Sequence, residues 1–181
     1  VSAGCVTSVE RAVDINSSVD SDDAYYAAYK KYTQDAKVIA DFEHRYSVTA
    51  TVLTPEMRSA LAKRYEQMFA VQQTVLDDSS SKSGFFVSVF SPNRQGYDIE
   101  DEVHWTILLQ TGETPRRPMV VRRLDDKERW KPFFPEVSQW SKEYLIIFDE
   151  NLPDLDSAEL VKKNSISLIF ANADAQVKLV W

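Results

Sequence analysis

The side chains best suited to bond-making are sparse and widely spaced. Histidine occurs twice, at His44 and His104, and cysteine once, at Cys5. A zinc centre needs about four nitrogen, sulfur or carboxylate ligands converging on one point. His44 falls on the apolar parity of its segment and reads as a hydrogen-bonded core imidazole. His104 has the opposite parity to Val103 and Trp105 and reads as facing out or pairing across strands. Two acidic stretches offer a different chemistry: Asp98, Glu100, Asp101 and Glu102 in "GYDIEDE", and Asp149, Glu150, Asp154, Asp156 and Glu159 in "DENLPDLDSAE". Carboxylates from such loops can hold calcium, and a pair at suitable separation can hydrolyse a glycoside. Neither stretch has the EF-hand spacing, and an up-and-down chain course would leave them at opposite ends of a sheet. Solvated loops are the simpler reading. No GxSxG, Walker, HExxH or GxGxxG pattern occurs, and four glycines leave little material for a phosphate-cradling loop. The expectation is therefore a protein that is not an enzyme and has no cofactor, with calcium as the alternative.

One stretch reverses the overall charge. Arg116, Arg117, Arg122, Arg123, Lys127, Arg129 and Lys131 crowd into "RRPMVVRRLDDKERWK" beside Trp130. Basic groups next to an exposed aromatic suit an anionic envelope glycan or a lipid head group. Arg116, Arg117, Arg122, Arg123, Arg129, Trp130 and Lys131 are accordingly the candidate contact residues for a partner or anionic surface. Asp125, Asp126 and Glu128 interrupt the run, as they would on a solvated strand edge that uses charge to deter aggregation. The following "WKPFFPEVSQW" reads as a partner-binding loop or as an aromatic plug for one end of a sandwich. The net charge of −7 opposes nonspecific nucleic-acid binding, which needs a positive contact surface.

Cys5 ends the stretch Val1-Ser2-Ala3-Gly4-Cys5, which resembles the lipobox of bacterial lipoproteins, where small residues precede a cysteine that becomes diacylated. Ser2 stands where that pattern usually has Leu, and the basic and apolar parts of a signal peptide would lie ahead of Val1. The resemblance implies lipid attachment at Cys5. Val6, in place of an Asp after the cysteine, implies the outer membrane, with the body facing the periplasm. Residues 1–20 are then a processed end, attachment site and tether, and residues 21–181 a single domain. No apolar run reaches the roughly 18 to 20 residues needed to span a bilayer, so attachment would come through the lipid.

The elements that must carry these residues follow from periodicity. Ser21 is a candidate N-cap for a helix through "DDAYYAAYKKYTQDA", with Tyr25, Tyr29, Tyr32, Ala28 and Ala36 on one face. From Val38 to Val52 apolar and polar residues alternate, which predicts one long half-buried strand. Thr54-Pro55 caps a second helix, predicted to run to about Leu76 and to bury Met57, Leu61, Tyr65, Met68, Phe69 and Leu76. Residues 77–83 form a break. Six short strands follow, at 85–90, 103–110, 118–124, 143–148, 165–170 and 177–181. The fold class is mainly β: an antiparallel two-sheet β-sandwich of about seven strands, with an N-terminal helix and a helix inserted after the first long strand.

The stretches "YTQDAKVIADFEHRYSVTATVLTPEMRSAL", "FFPEVSQWSKEYLIIF" and "QVKLVW" resemble lipoprotein-type proteins of proteobacteria in which a helix and a sandwich share one domain. That resemblance supplies no activity and no site residues. The expected function is a non-enzymatic cell-envelope lipoprotein whose β-sandwich surface binds or supports an envelope protein or glycan. The alternative is a calcium- or carbohydrate-associated sandwich, or a weak hydrolase, working through the acidic loops.

Overall fold

The computed structural model describes residues 24–40, 42–70, 83–92, 98–111, 114–149, 166–173 and 176–181. Helix α1 (Ala24–Tyr32) is followed by strands β1 (Thr33–Ala40) and β2 (Glu43–Val52) and helix α2 (Pro55–Phe69). Strands β3 (Ser83–Phe90), β4 (Thr106–Gln110) and β5 (Val120–Leu124) precede the single-turn helix α3 (Lys127–Trp130). Strands β6 (Ser141–Phe148), β7 (Ser167–Ala171) and β8 (Gln176–Val180) complete the order. Two antiparallel sheets result, one ordered β1-β2-β3-β6-β5 and the other β4-β7-β8. The mainly-β, helix-covered two-sheet architecture expected from periodicity is the one observed.

Alternation sorts the core into two compartments, because successive strand residues face opposite sides. Tyr46, Val48, Ala50 and Val52 of β2 meet Phe85, Val87 and Val89 of β3 and Tyr144, Ile146 and Phe148 of β6 between the sheets. Ile107 and Leu109 of β4, Leu168 and Phe170 of β7, and Val177 and Leu179 of β8 close that layer from the other side. The reverse face of the larger sheet presents Phe86, Leu145 and Ile147, covered by Tyr25, Ala28 and Tyr32 of α1, Met57 and Leu61 of α2, and Trp130, Phe133, Phe134 and Val137. Three layers follow: helices, the five-stranded sheet, and the three-stranded sheet.

The predicted long first strand is two strands. Ala40 pairs with Glu43, so the chain reverses over two residues, with Phe42 in the left-handed region at φ 63°. The period of two continues through this reversal, so the apolar parity predicted for Tyr46, Val48, Ala50 and Val52 holds, whereas Phe42 is fully exposed. The turn also lacks the Asn-Gly or Asp-Gly pair that favours positive φ in a two-residue hairpin. Helix α1 likewise stops at Tyr32 and not at Ala36. Thr33 begins a full-length pairing with β2, its hydroxyl 2.8 Å from that of Thr51 across the strands, and Ala36 packs against the inter-sheet core from β1. The Ser21 cap lies outside the described residues.

Helix α2 starts as its sequence requires. The Thr54 hydroxyl accepts the Met57 N–H at 3.1 Å, and Pro55 occupies the first turn. It ends earlier than predicted, at Phe69, where Ala70 turns left-handed at φ 52° and donates its N–H to the Glu66 carbonyl. Met57 and Leu61 are buried and Tyr65 packs against them, but Met68 and Phe69 are exposed; Leu76 lies outside the described residues. Strand β1 of the larger sheet adjoins β8 of the smaller. There the Trp181 indole N–H donates to the Tyr32 carbonyl at 2.7 Å, and its ring lies 5.6 Å from Phe85.

Candidate functional site

The first acidic stretch is folded back on the molecule. The Tyr144 hydroxyl donates to Asp98 Oδ1 at 3.1 Å, while Lys142 and Arg123 approach Asp98 Oδ2 at 3.5 and 3.7 Å. Burial, reinforced by the Asp98 charge, pushes the Tyr144 hydroxyl well above the ordinary tyrosine range. Glu100 accepts the backbone N–H of Arg123 at 2.7 Å. Asp101 accepts the Val103 N–H at 3.0 Å and lies 2.6 Å from His104 Nδ1. The His104 hydrogen bond, then that from Val103, holds the Asp101 carboxyl below its usual range. His104 is thus outward-facing, as its parity suggests, but in a turn ahead of β4 and not in a strand. Among the described residues no group of three or more His, Cys, Asp or Glu is placed to hold a metal ion. Asp149 follows the end of β6 while Asp98 meets its start, so these two carboxylates lie at opposite ends of that strand. The rest of the second acidic stretch, residues 150–159, lies outside the described residues.

His44 sits half-buried, Nε2 2.8 Å from the Ser47 hydroxyl and its ring 5.7 Å from Phe90. That is a satisfied strand imidazole beside an aromatic. It does not meet His104.

The basic stretch is dispersed by strand parity. On β5, Val121 faces the inter-sheet core while Val120 and Leu124 face the helix layer. Arg122 and Arg123 therefore project from opposite faces. Arg123 binds Asp98 and also Asp125, at 3.4 Å. Because its N–H goes to Glu100, part of the outer edge of β5 is capped by the acidic turn, which protects an otherwise open sheet edge. Arg116 exchanges two backbone hydrogen bonds of 2.8 Å with Leu109 and so belongs to the edge of the smaller sheet; its side chain and that of Arg117 are exposed. Arg122 and Lys131 are exposed as well. Arg129 stacks over Trp130 at 4.9 Å and lies 6.0 Å from the Tyr65 ring. Trp130 is itself buried, in contrast to the exposed aromatic expected from sequence. The reason is its spacing: Trp130, Phe133, Phe134 and Val137 recur at one, four, five and eight in a looped segment, and all four enter the helix-side core. Phe134 stacks on Phe86 with centroids 3.6 Å apart.

A polar knot fixes that segment. Lys127 Nζ donates to the carbonyls of Ser138 at 3.1 Å, Gln139 at 3.3 Å and Ser141, and stands 3.9 Å from Glu143 Oε2. Glu143 is completely buried, on the same parity as Leu145 and Ile147, and accepts from the Ser141 hydroxyl at 2.5 Å. A serine, a lysine and a glutamate at such distances resemble nucleophile, base and orienting acid. Ser141 is buried and Lys127 donates to carbonyl oxygens, so the group ties the chain together. Nearby, Tyr29 donates to Glu136 Oε2 at 2.7 Å, and Tyr25 to the Phe133 carbonyl at 2.6 Å. Burial raises the Glu136 carboxyl above its ordinary range, and the Glu143 charge adds to this. Burial and the Glu136 charge raise the Tyr25 and Tyr29 hydroxyls in turn.

Sequence reading missed Glu143 and Lys127 as a unit. The signal present was a carboxylate on the inward parity of Glu143-x-Leu145-x-Ile147. Cys5 lies outside the described residues. Comparison with family models, with curated proteins and with solved structures gives no significant match.

Two outcomes are expected. Lys127→Met should cost about 3 kcal/mol in urea unfolding, because removing one partner strands a buried carboxylate, and adding Glu143→Gln should recover part of the loss; a cost below about 0.5 kcal/mol contradicts this role. Glu136 has a folded pKa above its unfolded one, so its contribution is complete below the ordinary glutamate range and is lost as pH rises through the folded value. Glu136→Gln should therefore gain stability over wild type between acidic and neutral pH, and a difference that stays constant across that range contradicts the assignment.

Proposed function

We propose that this chain is a cell-envelope lipoprotein, held to a bilayer through Cys5, whose sandwich acts by surface contact and not by catalysis. The observation that carries the reading is the placement of the chain's one cysteine directly after Val1-Ser2-Ala3-Gly4, nineteen residue steps ahead of the first described helix. A fully extended chain of that length reaches at most about 65 Å, ample to hold a domain clear of a membrane surface. Two acyl chains give stable attachment at about 0.8 kcal/mol per buried methylene, where one chain is marginal.

A binding or supporting role is favoured by how the body uses its ionisable groups. Asp98, Glu100, Asp101, Lys127, Glu143 and Ser141 are spent on contacts that brace turns and edges. Of the basic candidates, Arg116, Arg117, Arg122 and Lys131 remain at the surface, and these are the groups offered to an anionic envelope protein or glycan. Arg123, Arg129 and Trp130 belong to the frame that supports them. The outer membrane, with the body in the periplasm, is the proposed location, following Val6.

The test is metabolic labelling with a palmitate analogue in a Gram-negative host, with a lipoprotein signal peptide ahead of Val1. Label on the wild type that is lost in Cys5→Ala is the expected result; an unlabelled wild type overturns the anchor.

A further inference from the structure

At one end of the sandwich the β1–β2 hairpin runs past its neighbours. Strand β3 stops at Phe90, which pairs with Ser47, so among the described residues the part of the hairpin from Ile39 to Tyr46 has no third strand in register. Its turn carries Phe42, with relative exposure of 104%, and Ile39 beside it is 69% exposed. Phe42 also occupies the left-handed region, which disfavours every residue with a Cβ. A large apolar side chain held out at a strained turn is an unusual use of sequence. Val103 and Trp140, exposed as well, lie at the same end: Val103 two residues before Trp105, whose ring meets Tyr46, and Trp140 next to Ser141, which pairs with Phe90.

The chain's own course says what this end faces. Helix α2 departs from the end of β2 opposite the hairpin turn. Helices α1 and α2 are antiparallel: Lys31 and Tyr32 meet Glu56 at the start of α2, whereas Tyr26 lies 5.8 Å beneath Arg64 in its later half. The later half of α2 reaches toward the hairpin end, because its Tyr65 lies 6.0 Å from Arg129 of α3, whose Lys127 bonds the carbonyl of Ser141, the partner of Phe90, and the beginning of α1 lies with it. Cys5, nineteen residue steps earlier, is within reach of any surface that the turn touches.

We propose that Phe42 and Ile39 form a shallow lipid-contacting tip, seated in the interface of the same bilayer that holds the acyl group on Cys5; this rests on the anchored reading above. In sequence Phe42 stands between Asp41 and Glu43, whose charges are costly to desolvate and so limit insertion to a shallow depth. Burial of one such ring changes a partition constant by roughly tenfold or more. That is weak in isolation, but a tether raises the local concentration of lipid enough for it to count. The consequence is a fixed orientation, with the hairpin end toward the membrane.

The experiment imposes the tether, so that its outcome does not depend on whether cells acylate Cys5. The full chain carrying Cys5→Ser and an N-terminal polyhistidine tag is bound to vesicles of phosphatidylethanolamine, with minor phosphatidylglycerol and a nickel-chelating lipid. Ile39→Ser with Phe42→Ser is expected to weaken vesicle binding by roughly tenfold, while binding to lipid-free nickel resin stays equal. Phe42→Trp should keep the affinity and add indole emission that brominated lipid quenches. Equal vesicle binding by the parent and the double-serine chain, or an unquenched added indole, overturns the proposal. Palmitate labelling decides the anchor separately.

Discussion

The constraint on which the structure rests is that strands β3 and β6 are apolar on both faces. Seven of the eight residues of each are buried, Ser88 and Glu143 among them. A strand buried on one side can leave its other side to water; these cannot. The five-stranded sheet must therefore be covered twice, by β4-β7-β8 on one side and by α1, α2 and the Trp130–Val137 segment on the other.

The helix-side cover creates a problem that its polar groups solve. Residues 131–140 lie outside helix and strand, so their carbonyls lack a regular ladder partner, and buried backbone polar groups must be satisfied. Lys127 gathers the carbonyls of Ser138 and Gln139 there and that of Ser141 at the start of β6, and the buried Glu143 stands near its ammonium. Tyr25 and Tyr29 add hydrogen bonds from α1 to the Phe133 carbonyl and to Glu136. The tyrosines predicted as a packing stripe do pack, and their hydroxyls also pin the segment against which they pack. At the opposite edge the acidic turn does comparable work, capping β5 through Glu100 and neutralising Arg123 and Lys142 with Asp98.

Strand parity was the most legible feature in the sequence, because alternation depends only on neighbouring residues. The inward set of β2, the Thr54-Pro55 start of α2 and the placement of the six later strands all follow from such local signals. The reversal between Ala40 and Glu43 was hidden because it leaves parity intact and lacks glycine, and the early end of α2 was hidden because a left-handed alanine at position 70 has no compositional mark. The candidate sites were less legible. Arg122 and Arg123 are adjacent in sequence but on opposite faces in space, and Trp130 looks exposed only until Phe133, Phe134 and Val137 are seen to enter the core with it. Glu143 and Lys127 lie sixteen residues apart, a distance over which no periodic argument connects them.

The three-layer body commits Asp98, Glu100, Lys127 and Glu143 to contacts that hold its turns and edges. Everything in it requires that the five-stranded sheet stay covered on both sides as one cooperative unit. Native-state hydrogen exchange tests this most directly. The amides of β3 and β6 are expected to exchange only through global unfolding, with a free energy equal to that from urea denaturation and the same denaturant dependence. Exchange of those amides through a smaller opening, with α1 and α2 detached and the rest of the sandwich intact, would contradict it.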